Sequence, residues 1–399
     1  MSLNFFRKIF NLDLSKKASR KGVSRRLELL GLEERVVPAT FSVINNSDSG
    51  AGSLRDAITL ANTTAGDDTI DFNFAAGSSP YTITLASALP SIVDASSTVG
   101  AGTAGTVTIT GLGASSLIID ANKGIFSIFT IDTGADLTIS GVTVTGANTS
   151  GSGSAFNNSG TLSISNSTLS GNTATSNGGA IDNSGILSIS NSTLSGNTAV
   201  SGGGILNVGT LTVSNSTLST NKANYGGGIK NAGTLTISNS TLSGNSATTG
   251  QGIGAGIFNE ASGILTVSNS TLSGNSAVGN GGGIYNDSGT FSVTNSTLSG
   301  NSAGNSGGGI TSQGTGIGTL TNSTLSGNSA TVLGGGFYNQ SPQVSGSPGA
   351  TLNIANTIIA NSTSGGDYAG GGTVGTNTNN LVQDDHYLAP SPAILFLAL

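Results

Sequence analysis

The chain has no cysteine and no tryptophan among its 399 residues, and only one histidine, His386. Without a thiol, neither a disulfide nor a thiolate metal site can form. His386 lies in a tail that departs from the pattern of the rest, so no well-placed imidazole is on offer for a triad or a zinc site. Charge is scarce as well: 8% of residues, against roughly 25% in an ordinary domain. Disordered chains pair few apolar residues with many charges. Here the apolar fraction is 35%, so core material is present and charge is what is missing. Long apolar runs are also absent. The closing "PAILFLAL" is far shorter than the roughly 20 residues of a membrane-spanning helix, and the head shows no clean apolar segment of a signal peptide.

The few charges are unevenly placed. Residues 1–40 hold nine Lys/Arg and four Asp/Glu (+5), residues 41–399 hold four and fifteen (−11), and the sum is the chain's −6. An acidic body is a poor nucleic-acid partner, so no nucleic-acid binding is expected. The basic head reads as a leader or export segment.

What the chain has in abundance is repetition. "NSTLSGN" begins at Asn166, Asn191, Asn239, Asn269, Asn295 and Asn322, with "NSTLSTN" at Asn215 and the looser "NTIIAN" at Asn356. Successive starts are 25, 24, 24, 30, 26, 27 and 34 residues apart, a solenoid-like period. Each unit begins with an alternating piece such as "TLSIS" (Thr161 to Ser165). The phrase follows, and then a glycine-rich piece such as "GGAIDN" or "GGGIYN". Alternation at period two, with dense glycine and β-branched residues, excludes helix and predicts three short strands per coil. The fold expected is all-β: a right-handed, single-stranded parallel β-helix of the pectin-lyase-like kind, with a short N-terminal capping helix.

Coils stacked about 4.8 Å apart place identical residues in columns. Leu169, Leu194, Leu218, Leu242, Leu272, Leu298 and Leu325 should form a buried one. Asn172, Asn197, Asn221, Asn245, Asn275, Asn301 and Asn328 should form a hydrogen-bonded ladder at a turn. "GSLRDAITLAN" (Gly52 to Asn62) predicts the capping helix, with Ser53 and Asp56 as a capping box and Leu54, Ile58 and Ala61 on one face. The organisation read from sequence is thus a leader at 1–40, entry strands and cap at 41–99, coils at 100–382 and a degraded tail at 383–399.

The "GGAI" and "GGGI" pieces alternating with "TLSGN" resemble the repeats of polymorphic outer membrane proteins, whose signature pairs GG[AI] with F-x-x-N; Leu replaces Phe in every copy here. "FSVINNSDSGAGSLRDAITLAN" (Phe41 to Asn62) and "NTIIANSTSGGDYAGGGTVGTNTNNLV" (Asn356 to Val382) are similar to the entry and closing segments of related β-helix surface proteins. "RRLELLGLEERVVPAT" (Arg25 to Thr40) resembles a leader found on large exported bacterial proteins. Family members that insert in the outer membrane carry a C-terminal β-barrel. No such pattern is legible here, and the end after Asp385 reads as truncated or frame-shifted. The resemblance implies a secreted or cell-surface bacterial passenger, with adhesion to surface glycans or to host or neighbour-cell proteins. It supplies no catalytic residue.

The rival expectation is a polysaccharide-active enzyme, a lyase or glycoside hydrolase on the same fold. Such chemistry needs a carboxylate pair, or a base with acidic calcium ligands. Between residues 151 and 360 there are five charged residues: Asp182, Lys222, Lys230, Glu260 and Asp287. The three acids lie on different coils and read as no tight cluster. The pairs Asp67-Asp68 and Asp384-Asp385 read as solvated turns. No catalytic residue, metal site or cofactor is therefore assigned.

One column stands out. The position after the inward Ile of the glycine-rich piece should face solvent, and down the stack it holds Asp182, Leu206, Lys230, Phe258, Tyr285, Thr311 and Tyr338. Phe258, Tyr285 and Tyr338 form the candidate partner-binding strip. The plainer alternative is that stacked rings stabilise the ladder.

Overall fold

A computed structural model describes residues 38–75, 79–93, 105–340 and 349–383. Residues 1–37 of the leader, His386 and the Asp384-Asp385 pair lie outside them. The described chain is a right-handed parallel β-helix. Three long sheets of 13, 12 and 10 parallel strands run along it. The first sheet collects the alternating pieces, such as Thr161–Ser165, and the second collects "TLS", such as Thr168–Ser170. The third collects the glycine-rich pieces, such as Ile181–Asn183. A fourth element was not foreseen. Two-residue strands such as Lys222–Ala223 and Ser246–Ala247 pair just after the ladder asparagine, so the middle coils have four strands. In each the first residue faces outward and the Ala inward, the alternation of a strand. The first sheet also starts well before residue 100: Thr40–Val43 pairs with Asp68–Phe72, which pairs with Thr106–Thr110.

The phrase "NSTLSGN" is explained position by position. Its first Asn takes φ of 48–50° in every copy, a left-handed bend that Asn tolerates better than most residues. The next Ser is buried and accepts the backbone N–H of the corresponding Ser one coil before, as from Ser192 to Ser216 at 3.1 Å. The Leu points inward, and all seven column leucines have no exposed surface. The Gly turns at positive φ, 64° at Gly171. The last Asn is fully buried; its Nδ2 donates to the next Asn Oδ1 at 2.9–3.1 Å from Asn172 to Asn328. That Oδ1 also accepts the preceding coil's Asn N–H, as from Asn197 to Asn221 at 3.0 Å. A buried turn thus leaves none of these amides without a partner.

The cap forms as read. Leu54–Ala61 is the one helix among the described residues, with Leu54, Ala57, Ile58 and Ala61 buried against strands Thr40–Val43 and Asp68–Phe72. Ser53 Oγ accepts the Asp56 N–H at 3.2 Å. Asp56 reaches back to the Gly52 N–H at 2.9 Å, one residue further than a regular capping box, because the Ser53 N–H is taken by the Gly50 carbonyl. Of the Asp67-Asp68 pair, Asp67 is exposed as read, and Asp68 corrects the solvated-turn reading. Asp68 is 1% exposed, opens a strand and accepts the Ala39 N–H at 3.0 Å. Burial, the larger cause, and neighbouring Asp67 push its carboxyl above the ordinary value, against the pull of that hydrogen bond.

Candidate cleft on the third sheet

The column carrying the candidate strip has the register read from sequence. Asp182 pairs with Leu206, Leu206 with Lys230, Lys230 with Phe258, Phe258 with Tyr285, Tyr285 with Thr311 and Thr311 with Tyr338. Phe258 and Tyr285 are near neighbours, with ring centroids 5.4 Å apart in an edge-to-face contact.

Two expectations fail. The rings do not stand open to solvent, because Phe258 is only 6% exposed and Tyr285 only 5%. The coil from Asn239 to Asn269 is 30 residues long, and its extra length carries Ile253 over Phe258 and Tyr285 in a small apolar cluster with Tyr225. Ile253 is itself bridged to Tyr225 of the coil before. Tyr338, half-buried, lies beyond Thr311 and does not line the same cleft. The strip therefore resolves into one cleft and one separate ring.

The cleft holds about 650 Å³. Its apolar lining is a half-buried Tyr225 ring backed by the nearly covered Phe258, Tyr285 and Ile253, and Gln251, Asn280, Asn305 and Gln313 bring carboxamides to it. Its charges were not foreseen as a group. Lys230 Nζ lies 2.8 Å from Glu260 Oε1. The same ammonium sits 5.8 Å from the Tyr225 ring centroid and 5.6 Å from that of Phe258, within cation–π range. Glu260 and Asp287 were read as no tight cluster because they lie on different coils, 27 residues apart. Each follows directly on the asparagine that ends its coil's glycine-rich piece, Asn259 or Asn286, and those two asparagines are paired. Two carboxyl groups thus line one cleft from adjacent coils. Counting one place beyond the register would have found them.

Burial, the Asp287 carboxylate second, raises the Tyr285 pKa far above the ordinary phenol value, against a smaller lowering by its hydrogen bond with Gln313. Asp287 Oδ1 accepts from Gln313 Nε2 at 3.1 Å and from Ser288 Oγ at 3.5 Å. Among the described residues no cluster of three or more acidic or imidazole ligands could hold a metal ion. No described helix is long and apolar enough to cross a membrane.

No protein-family model matches the chain, and no curated protein matches it in sequence. Among solved structures it is similar to AlyGC, an alginate lyase of the PL6 family. Identity is 11% and the TM-score 0.45, over 90% of this chain and 53% of that one. It is also similar to the A-module of the mannuronan C-5 epimerase AlgE6 of Azotobacter vinelandii. There identity is 10% and the TM-score 0.32, over 88% of this chain and 100% of that one. The chain thus spans about half the length of the lyase. Likenesses this distant assign no chemistry.

Proposed function

We propose that the chain is a non-enzymatic, secreted or cell-surface β-helix, an adhesin-like or structural passenger akin to the polymorphic outer membrane proteins, and that its cleft binds carbohydrate. The observation that carries this reading is the pairing of the half-buried Tyr225 ring, backed by Phe258, Tyr285 and Ile253, with a lining of carboxamides. Ring faces suit the apolar face of a pyranose, and amide groups suit its hydroxyls. The acid–base groups favour binding over catalysis. Burial and the Asp287 carboxylate raise the Tyr285 pKa, which disfavours its phenolate as a base. Lys230 is held by Glu260 and two rings. A glycoside hydrolase is the second reading, because Glu260 and Asp287 face one cleft from neighbouring coils, and paired carboxylates are what that reaction uses.

A glycan array tests the reading, comparing the parent with a Phe258→Ser/Tyr285→Ser variant whose fold is checked by melting. Binding by the parent and its loss in a folded variant is the expected result; equal binding by both would remove the cleft as the site. Release of reducing ends from any bound polysaccharide would move the assignment to the hydrolase.

A further inference from the structure

We infer that the cleft selects glycans bearing free, protonated amines over uronate polymers; this rests on the carbohydrate reading above. The lining carries three charged side chains: Lys230, Glu260 and Asp287. Lys230 is satisfied within the protein, 2.8 Å from Glu260 and over two rings. Asp287 is satisfied only by neutral donors, Gln313 and Ser288, so its charge is not compensated. One negative charge is therefore left over, and it sits beside Tyr285, whose proton it helps to hold. A ligand ammonium there gains the carboxylate directly. A uronate meets charge of its own sign and finds its only cation engaged. The body of the chain, −11 over residues 41–399, adds to that repulsion. Neutral sugars fall between, with the Tyr225 ring and the carboxamides but without the ion pair.

The test is calorimetric titration of the full chain with three hexamers: β-1,4-glucosamine, its fully N-acetylated form, and mannuronate. The amine-bearing hexamer should bind roughly five-fold more tightly than the acetylated one, the scale of a partly solvated ion pair, and mannuronate most weakly. Asp287→Asn should equalise the first two, whereas the remote Asp132→Asn should leave the difference intact. Equal binding of the first two by the parent, or tighter mannuronate binding, would overturn the selectivity and leave the carbohydrate reading standing. A preference that survives Asp287→Asn would also overturn it, by tracing the attraction to the acidic chain as a whole. If no hexamer binds and the array is also blank, both readings fall.

Discussion

Thr220 occupies a position that glycine holds in the other full copies of the phrase. Its φ is 55°, close to the 64° of Gly196 and the 62° of Gly244. A Cβ on Gly244 would meet nothing nearer than Thr220 Cγ2 at 3.7 Å, so neighbours leave room and the backbone is what resists a side chain. A β-branched residue in this region costs roughly 1–2 kcal/mol, while glycine loses roughly 0.5–1 kcal/mol through the unfolded chain. Thr220→Gly should therefore raise stability by about 0.5–1 kcal/mol, read from the denaturant midpoint. Asp182 makes a second residue-scale case. Burial, only partly offset by a hydrogen bond from Ser152, raises its pKa above 3.8. The native state then holds its proton to higher pH than the unfolded chain does, so stability falls as pH rises from that value through the folded pKa. Asp182→Asn should flatten the loss over this window and melt higher than the parent at neutral pH; an unchanged pH profile would mean that the carboxyl is hydrated.

The ladders show what sequence reveals about an element and what it conceals. The Leu169-to-Leu325 and Asn172-to-Asn328 columns are legible because stacking demands the same residue at the same place in each coil. A second asparagine ladder was not read, though its residues end the glycine-rich pieces. Asn158, Asn183, Asn207, Asn231, Asn259 and Asn286 link Nδ2 to Oδ1 at 2.7–2.8 Å. Its signal was masked by variable spacing: the glycine that follows comes two residues after Asn231 but four after Asn259. The cleft was concealed for a related reason, since Ile253 belongs to an insertion with no counterpart in the repeat. Ser312 interrupts the second ladder. Asn286 Nδ2 reaches Ser312 Oγ only at 3.4 Å, and the buried Asn339 Oδ1 has no partner. Ser312→Asn should accept from Asn286 and donate to Asn339, with Gly316 placed as Gly263 is after Asn259. Two restored bonds are worth about 1–2 kcal/mol together. A higher melting temperature is expected, and a lower one would show that the coil cannot seat the larger amide.

At the scale of the whole molecule, each coil touches only the coils before and after it, so stability is a chain of neighbour terms rather than one global sum. This decides how damage spreads. Leu242 has no exposed surface and is paired with Leu218 and Leu272. Its carbonyl accepts Asn275 Nδ2 at 3.0 Å, which ties the leucine column to the asparagine ladder. Leu242→Asp places a carboxylate there with no cation in the column, since Leu218 and Leu272 are its paired neighbours; an unpaired buried charge costs several kcal/mol. A single compact core would answer by unfolding throughout. A stack should open locally. Amide hydrogen exchange should then show lost protection in the coils around Leu218, Leu242 and Leu272. Strands Thr106–Thr110 and Thr351–Ala355, several coils away, should keep theirs. Simultaneous loss along the whole chain would mean that the coils fold as one cooperative unit, and unchanged exchange would mean that Leu242 does not face the core. The contrast matters for the cleft, which is built on the coils of Lys230, Phe258 and Tyr285, directly beside the damaged column. If opening is local, Leu242→Asp abolishes ligand binding while most of the strand signal in circular dichroism survives. No compact single-core domain would separate those two readouts.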